Sequence, residues 1–205
     1  VRGYDFEKIP PLDENGNPTV INDLRMTDYD VVLVKNRVKV ENAVSANYQA
    51  RYNIPSMGAT ILRGYVIVDT KIKNKHYRFV STHLEPAVSP ELLQVQMGQV
   101  MELTSVLQDN SLPQVVVGDF NAEYPASPVY NHMIDNGYID VWTKNWKQDD
   151  PDGFTYGHDL DLRNAKANFN KRIDYIFDKD SNQQEWNDPF YALVIGKEPW
   201  NRYRC

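Results

Sequence analysis

The sequence predicts an α/β sandwich. Short strand-like runs succeed one another, an amphipathic helix lies at Pro90–Leu107, and an unbroken β-branched run, Val115–Val117, follows it. Residues 1–29 hold Pro10, Pro11, Asn15, Gly16, Asn17 and Pro18 and read as an irregular lead-in. Strands are predicted at Val31–Lys35, Arg37–Val40, Asn47–Ile54 and Ile61–Ile72, and Lys73–Asn74–Lys75 turns the last of these into Tyr77–Thr82 as a hairpin. Ser89 is placed to cap the first helix, with Pro90 as its first residue. Leu93, Met97, Val100, Met101, Thr104 and Leu107 recur at three- and four-residue spacing and predict its buried face. The Val115–Val117 run predicts a strand covered on both faces. Ser127–Pro128 opens a second short helix that buries Val129, Met133 and Ile134 and ends at Asn136–Gly137. Residues 143–170 are polar and aromatic without a period and predict a long loop. Arg172–Phe177 and Tyr191–Ile195 are the last predicted strands.

At 205 residues the chain has the length of a single domain, long enough to bury a sizeable core. Its 22 Lys and Arg against 28 Asp and Glu give a net charge of −6, which argues against binding through a broad basic surface. With 41% hydrophobic and 24% charged residues it is neither a disordered tail nor a membrane protein. No apolar run approaches the ~18 residues of a spanning helix. The single cysteine, Cys205, excludes an internal disulfide and a Cys-based zinc site. The compartment stays open.

Three predicted strands deliver polar groups that a core would not choose. Tyr77–Thr82 leads to His83 and Glu85, Val115–Val117 runs through Gly118 to Asp119 and Asn121, and Asp174 interrupts Arg172–Phe177. Strand alternation predicts Asp174 on the face of Arg172 and Ile176. Each alone has an ordinary explanation: a solvated histidine, a Gly-Asp-Phe-Asn turn, a carboxylate paired with Arg172. Together they weigh more, because strand ends on one side of a sheet converge on a crevice. A histidine, an Asp–Asn pair and a second aspartate suit phosphate chemistry. Imidazole and amide groups can hold phosphoryl oxygens, and carboxylates can bind Mg²⁺ or move protons.

At these residues the chain resembles the endonuclease/exonuclease/phosphatase superfamily, which contains pancreatic deoxyribonuclease and the bacterial neutral sphingomyelinases. The matching segments are Arg63–Val66, Ser81–Pro86, Gly118–Glu123, Gly137–Trp142, Gly153–Tyr156 and Arg172–Phe177, in the family's order and over about residues 30–200. The resemblance implies a deoxyribonuclease I-like, four-layer α/β/β/α sandwich and Mg²⁺- or Mn²⁺-dependent hydrolysis of a phosphate ester by activated water. It implies that His83 contacts the scissile phosphate. Asp119 orients or deprotonates the attacking water, or assists the leaving group or the metal. Asn121 holds a phosphate oxygen, also beside the metal, and Asp174 orients a catalytic histidine. Thr155 and Asp140 match weaker positions.

Two family motifs are missing: the N-terminal metal-binding glutamate, which Glu7 and Glu14 do not match in context, and the closing Ser-Asp-His. The resemblance therefore implies a partial domain over 1–205, incomplete at both ends, that holds its metal weakly, shows little or no turnover and associates with itself through uncovered sheet edges. A non-catalytic member that binds a phosphorylated ligand or partner is the rival reading. A zinc hydrolase using His76, His83, His132 and His158 is poor, since these lack His-x-His and His-Glu-x-x-His spacing. The expected substrate is a phosphoester, small or lipid-like ahead of nucleic acid. The aromatics Trp142, Trp146, Phe154 and Tyr156 could stack on a base or touch a lipid.

Overall fold

The computed structural model describes residues 4–5, 14–15, 28–54, 59–144, 152–159, 167–180 and 192–196. Its main element is a six-stranded mixed sheet with order β2-β5-β6-β7-β9-β8. These strands are β2 (Lys39–Asn47), β5 (Gly64–Ile72), β6 (Lys75–His83), β7 (Gln114–Asp119), β8 (Ile139–Asp140) and β9 (Asp174–Lys179). A separate three-stranded sheet joins β1 (Tyr4–Asp5), β4 (Ala59–Ile61) and β3 (Tyr52–Ile54) in the order β1-β4-β3. The helices are α1 (Pro90–Gln108) and α2 (Pro128–Asp135).

The connections follow from local chemistry. Lys73 and Asn74 both take positive φ, 48° and 69°, the mirror-image turn that matches strand twist, and close the β5–β6 hairpin. β6 and β7 are parallel neighbours, so the chain between them must cross over, and α1 is that crossover. Ser89 caps α1, its Oγ accepting from Leu92 N at 3.3 Å, and Ser127 caps α2 in the same way. Val100, Leu103 and Leu107 of α1 and Val129 and Met133 of α2 pack onto Ile67, Val80, Val116 and Phe177 of the sheet. Each such side chain removed from water contributes about 1.5–3 kcal/mol.

Several expectations need correction. Residues 31–35 form no strand: Val31 and Leu33 are exposed, and the alternation found no ladder among the described residues. The predicted Asn47–Ile54 strand divides between the end of β2 and β3, because the chain leaves one sheet for the other. The Ile61–Ile72 run breaks for the same reason at Leu62–Arg63, where the Arg63 carbonyl accepts from Tyr48 N at 2.8 Å. The buried face of α1 is Leu92, Gln96, Gln99, Val100, Leu103, Thr104 and Leu107, while Met101 is exposed. Val100, Thr104 and Leu107 are buried as expected and Met97 packs against the core, while Leu92, Leu103 and the two glutamines were not expected there.

In β7 Gln114 and Val116 are fully buried. Val115 and Val117, on the face away from the helices, are half-buried. α2 buries Tyr130 in place of Ile134, which is exposed. Residues 192–195 are not a strand, and Leu193 and Ile195 are exposed. Tyr191, Trp146, Glu7 and Cys205 lie outside the described residues. Of the four layers expected, the described residues show two sheets and one helical layer.

Candidate functional site

One row of the main sheet gathers the chemistry. His83 closes β6, Asp119 closes β7 and Asp174 opens the antiparallel β9, so all three stand at the same end. They are cross-strand partners in turn: Gly64 with His83, His83 with Asp119, and Asp119 with Asp174. Gly118 permits this closeness. Its φ is 155°, and a Cβ there would sit 1.8 Å from the Thr82 carbonyl oxygen on the neighbouring strand.

The side chains converge with the strands. His83 Nε2 lies 3.6 Å from Asp119 Oδ2, an ion-pair separation too long for a hydrogen bond. Asn121 Nδ2 lies 3.1 Å from the same His83 nitrogen and donates to the Leu84 carbonyl at 2.8 Å. Asn121 Oδ1 has no hydrogen-bond partner among the described residues. Backbone N–H of Asn121 donates to Asp119 Oδ1 at 2.7 Å, an Asx turn that fits the residue's positive φ of 49°. Thr155 Oγ1 accepts from the backbone N–H groups of Ile173 and Asp174 and so anchors the start of β9.

Two residues missed at the sequence level complete the set. Asp28, inside the presumed irregular lead-in, places Oδ2 3.4 Å from His83 Nδ1 and 3.8 Å from Arg63 NH1. Arg63 also meets the buried Glu85, Nε to Oε2, at 3.1 Å. The signal for Arg63 was present, since its segment is one of the family matches. Asp28 carried none.

Asp174 faces the same side as Ile176, as expected, but Arg172 does not join them. Arg172 is buried ahead of the strand, bonded to Asp140 Oδ2 at 2.6 Å with its guanidinium over the Tyr124 ring. Asp140 is therefore a structural counter-charge. Two cavities flank the row: about 360 Å³ beside Asp174, reaching Trp142 and Thr155, and about 750 Å³ beside Asn121, reaching Tyr124 and Tyr156.

The electrostatics are those of crowded, underpaired acids. Partial burial, and then the charge of Asp174, push the Asp119 carboxyl up to about 6, against the pull of the Asn121 N–H and Arg63. Burial beside Asp28 pushes Asp30 up to about 7. Burial raises Asp174, with the Thr155 side chain opposing. Burial and the Arg63 charge hold His83 below the ordinary imidazole range, with Asp28 opposing. A neutral imidazole beside an acid that ionises near neutrality suits proton transfer.

A hard cation fits the oxygen donors present, Asp119 and the unpartnered Asn121 Oδ1, with Asp174 adjacent. Among the described residues, no three His, Cys, Asp or Glu side chains come together as a closed metal cage. The fit is to a cation held largely by water and substrate.

No protein-family model matches the chain, and no curated protein matches it. Solved structures do. An endonuclease/exonuclease/phosphatase from Beutenbergia cavernae superposes over 87% of this chain and 45% of its own, at 17% identity and TM-score 0.51. A mannosyl-6-phosphatase of Bacteroides thetaiotaomicron matches 86% of this chain and 63% of its own, at 15% identity and TM-score 0.50. A family protein from the same species matches 69% and 50%, at 13% identity and TM-score 0.50. This chain therefore spans 45% to 63% of the lengths of these three structures. The fold of this chain is that of the endonuclease/exonuclease/phosphatase proteins.

Proposed function

We propose that the chain carries the phosphate-facing part of a metal-assisted phosphoric ester hydrolase, with Mg²⁺ or Mn²⁺ as cofactor. One observation carries the reading: His83, Asp119 and Asn121 meet within 3.1–3.6 Å at adjacent strand ends, with Asp174 as the cross-strand partner of Asp119. In the proposed reaction water attacks phosphorus, the P–O ester bond breaks, and the leaving oxygen takes up a proton. Asp119 accepts the proton of the attacking water, which its raised pKa equips it to do near neutral pH. Asp28 holds His83 by Nδ1 and so fixes the ring with Nε2 beside Asn121 and Asp119, where Nε2 would meet a phosphoryl oxygen once it carries a proton. Asn121 offers Oδ1 outward, toward a metal or a water proton, because its amide nitrogen is spent on Leu84 and His83. A bound divalent cation would neutralise charge on the phosphoryl oxygens. The cavities on either side have room for the ester's alcohol groups, which supports a small or lipid-like ester over a long polyanion.

A second reading is favoured by one observation, the lack of a closed acidic cage among the described residues: the site binds a phosphorylated ligand without turning it over. The outer edge of β2, most of whose residues are exposed, supports association between copies of the chain. The deciding experiment is a panel of phosphodiesters and monoesters with Mg²⁺, Mn²⁺ or chelator. Chelator-sensitive turnover, however slow, supports the hydrolase. Ester binding at His83 without turnover under any metal supports the binder.

A further inference from the structure

We propose that Gln96 and Gln99, two fully buried amides one turn apart on α1, are positioning residues that hold the two site loops from behind. The proposal rests on the phosphoesterase reading of that site. The Gln96 amide nitrogen donates to the Phe120 carbonyl at 3.0 Å and to the Asn121 carbonyl at 2.9 Å. Two carbonyl dipoles aimed at one point repel each other, and a single NH₂ group with two protons lets them converge. The Asn121 backbone held in this way is the one whose N–H fixes Asp119 Oδ1 at 2.7 Å. Gln96 thus acts on the Asp119 carboxylate through the Asn121 backbone, without touching the carboxylate.

Gln99 does the parallel work for the other loop. Its Oε1 accepts from Glu85 N at 2.8 Å, and its Nε2 donates to the Ala50 carbonyl at 3.0 Å. Glu85 lies two residues beyond His83 and takes the Arg63 guanidinium. Gly98 lets the helix come close enough, since a Cβ there would lie 2.8 Å from the Ala50 Cβ. An apolar pair at 96 and 99 would take these bonds from the Phe120, Asn121 and Ala50 carbonyls and from Glu85 N–H. Amides at both positions, with every proton and lone pair that the two loops need, are a choice for geometry.

The test compares wild type with Gln96→Leu, Gln99→Leu and Gln96→Glu. The measurements are melting temperature, the amide resonances of residues 83–85 and 119–121, and Mg²⁺-dependent turnover of an activated phosphodiester across pH. Gln96→Leu should move the Asp119 and Asn121 resonances and lower kcat about 10- to 100-fold with KM changed less than about threefold. Gln99→Leu should disturb residues 83–85 and spare 119–121. Gln96→Glu, protonated in its buried site, regains one of the two bonds, should recover part of the rate, and serves as the probe if the leucine variant does not fold. A lower melting temperature with unchanged resonances and kcat would overturn the proposal. Absence of turnover in wild type would sink the phosphoesterase reading, while the resonances still decide the positioning.

Discussion

The two ends of the main sheet are built from the same strands and treat charge in opposite ways. Five residues back from the site, the row Asp69–Arg78–Gln114–Lys179 crosses β5, β6, β7 and β9. There Arg78 donates to both Asp69 oxygens, at 2.7 and 2.8 Å, and Asn42 adds a third bond. Gln114 accepts from the Tyr138 hydroxyl at 2.6 Å. The Arg78 bonds pull the Asp69 carboxyl below its ordinary range, against its burial. At the other end Asp119 and Asp174 face each other as like charges, with both carboxyls raised. At the first end the Asp69–Arg78 pair is closed, although burial and the charge of Asp180 push the neighbouring Asp178 carboxyl up to about 6. The second sets two like-charged carboxyls side by side, an arrangement that the proposed cation and phosphate would relieve.

That contrast can be broken at either end. The largest effect is expected at the site: His83→Ala should cut chelator-sensitive turnover by ~10²–10⁴-fold, while the melting temperature hardly moves. Next comes the paired end. Asp69→Ala leaves the Arg78 guanidinium buried without its partner, and denaturant unfolding should show a loss of about 3–5 kcal/mol. Its turnover per folded molecule should match wild type, and a loss of turnover without a loss of stability would mean that the ends are not independent.

How far the sequence disclosed this division depends on what each residue's neighbours reveal. His83, Asp119, Asn121 and Asp174 could be found because each interrupts an otherwise apolar or turn-like pattern at a strand end. Asp28 could not, because nothing near it in the chain marks it. Only folding brings it to His83. The buried face of α1 was legible in part: Val100, Thr104 and Leu107 are buried as expected, but Gln96 and Gln99 were passed over because they are buried for their hydrogen bonds. The Arg172–Asp140 pair was missed for a similar reason: alternation assigns Arg172 to the Asp174 face only if the strand extends to it, and β9 starts at Asp174.

A smaller effect sharpens the contrast through pH. The charge of Asp174 helps to raise Asp119, so Asp174→Asn should lower the Asp119 pKa from about 6 toward the ordinary aspartate range, as followed by carboxyl ¹³C titration. The same substitution should leave the Asp69 titration unmoved. The stability signs also oppose. Asp69 has a depressed folded pKa and stabilises the fold above its unfolded value, an effect lost as pH falls through the folded value. Asp119 has a raised folded pKa, so the folded state loses stability as pH rises from the unfolded value through about 6. Mg²⁺ should therefore raise the melting temperature more at pH 8 than at pH 5, and an equal shift at both would count against cation binding at Asp119.

The most direct test of the division uses a paramagnetic cation. Mn²⁺, with inorganic phosphate present, is titrated into isotopically labelled chain while side-chain resonances are followed at both ends of the sheet. The account predicts that Asp119, Asn121, Asp174 and the His83 ring broaden together at the first additions while Asp69 and Arg78 stay sharp, and that Asp119→Asn abolishes the effect. Equal broadening at the two ends, or site broadening that survives Asp119→Asn, would contradict it.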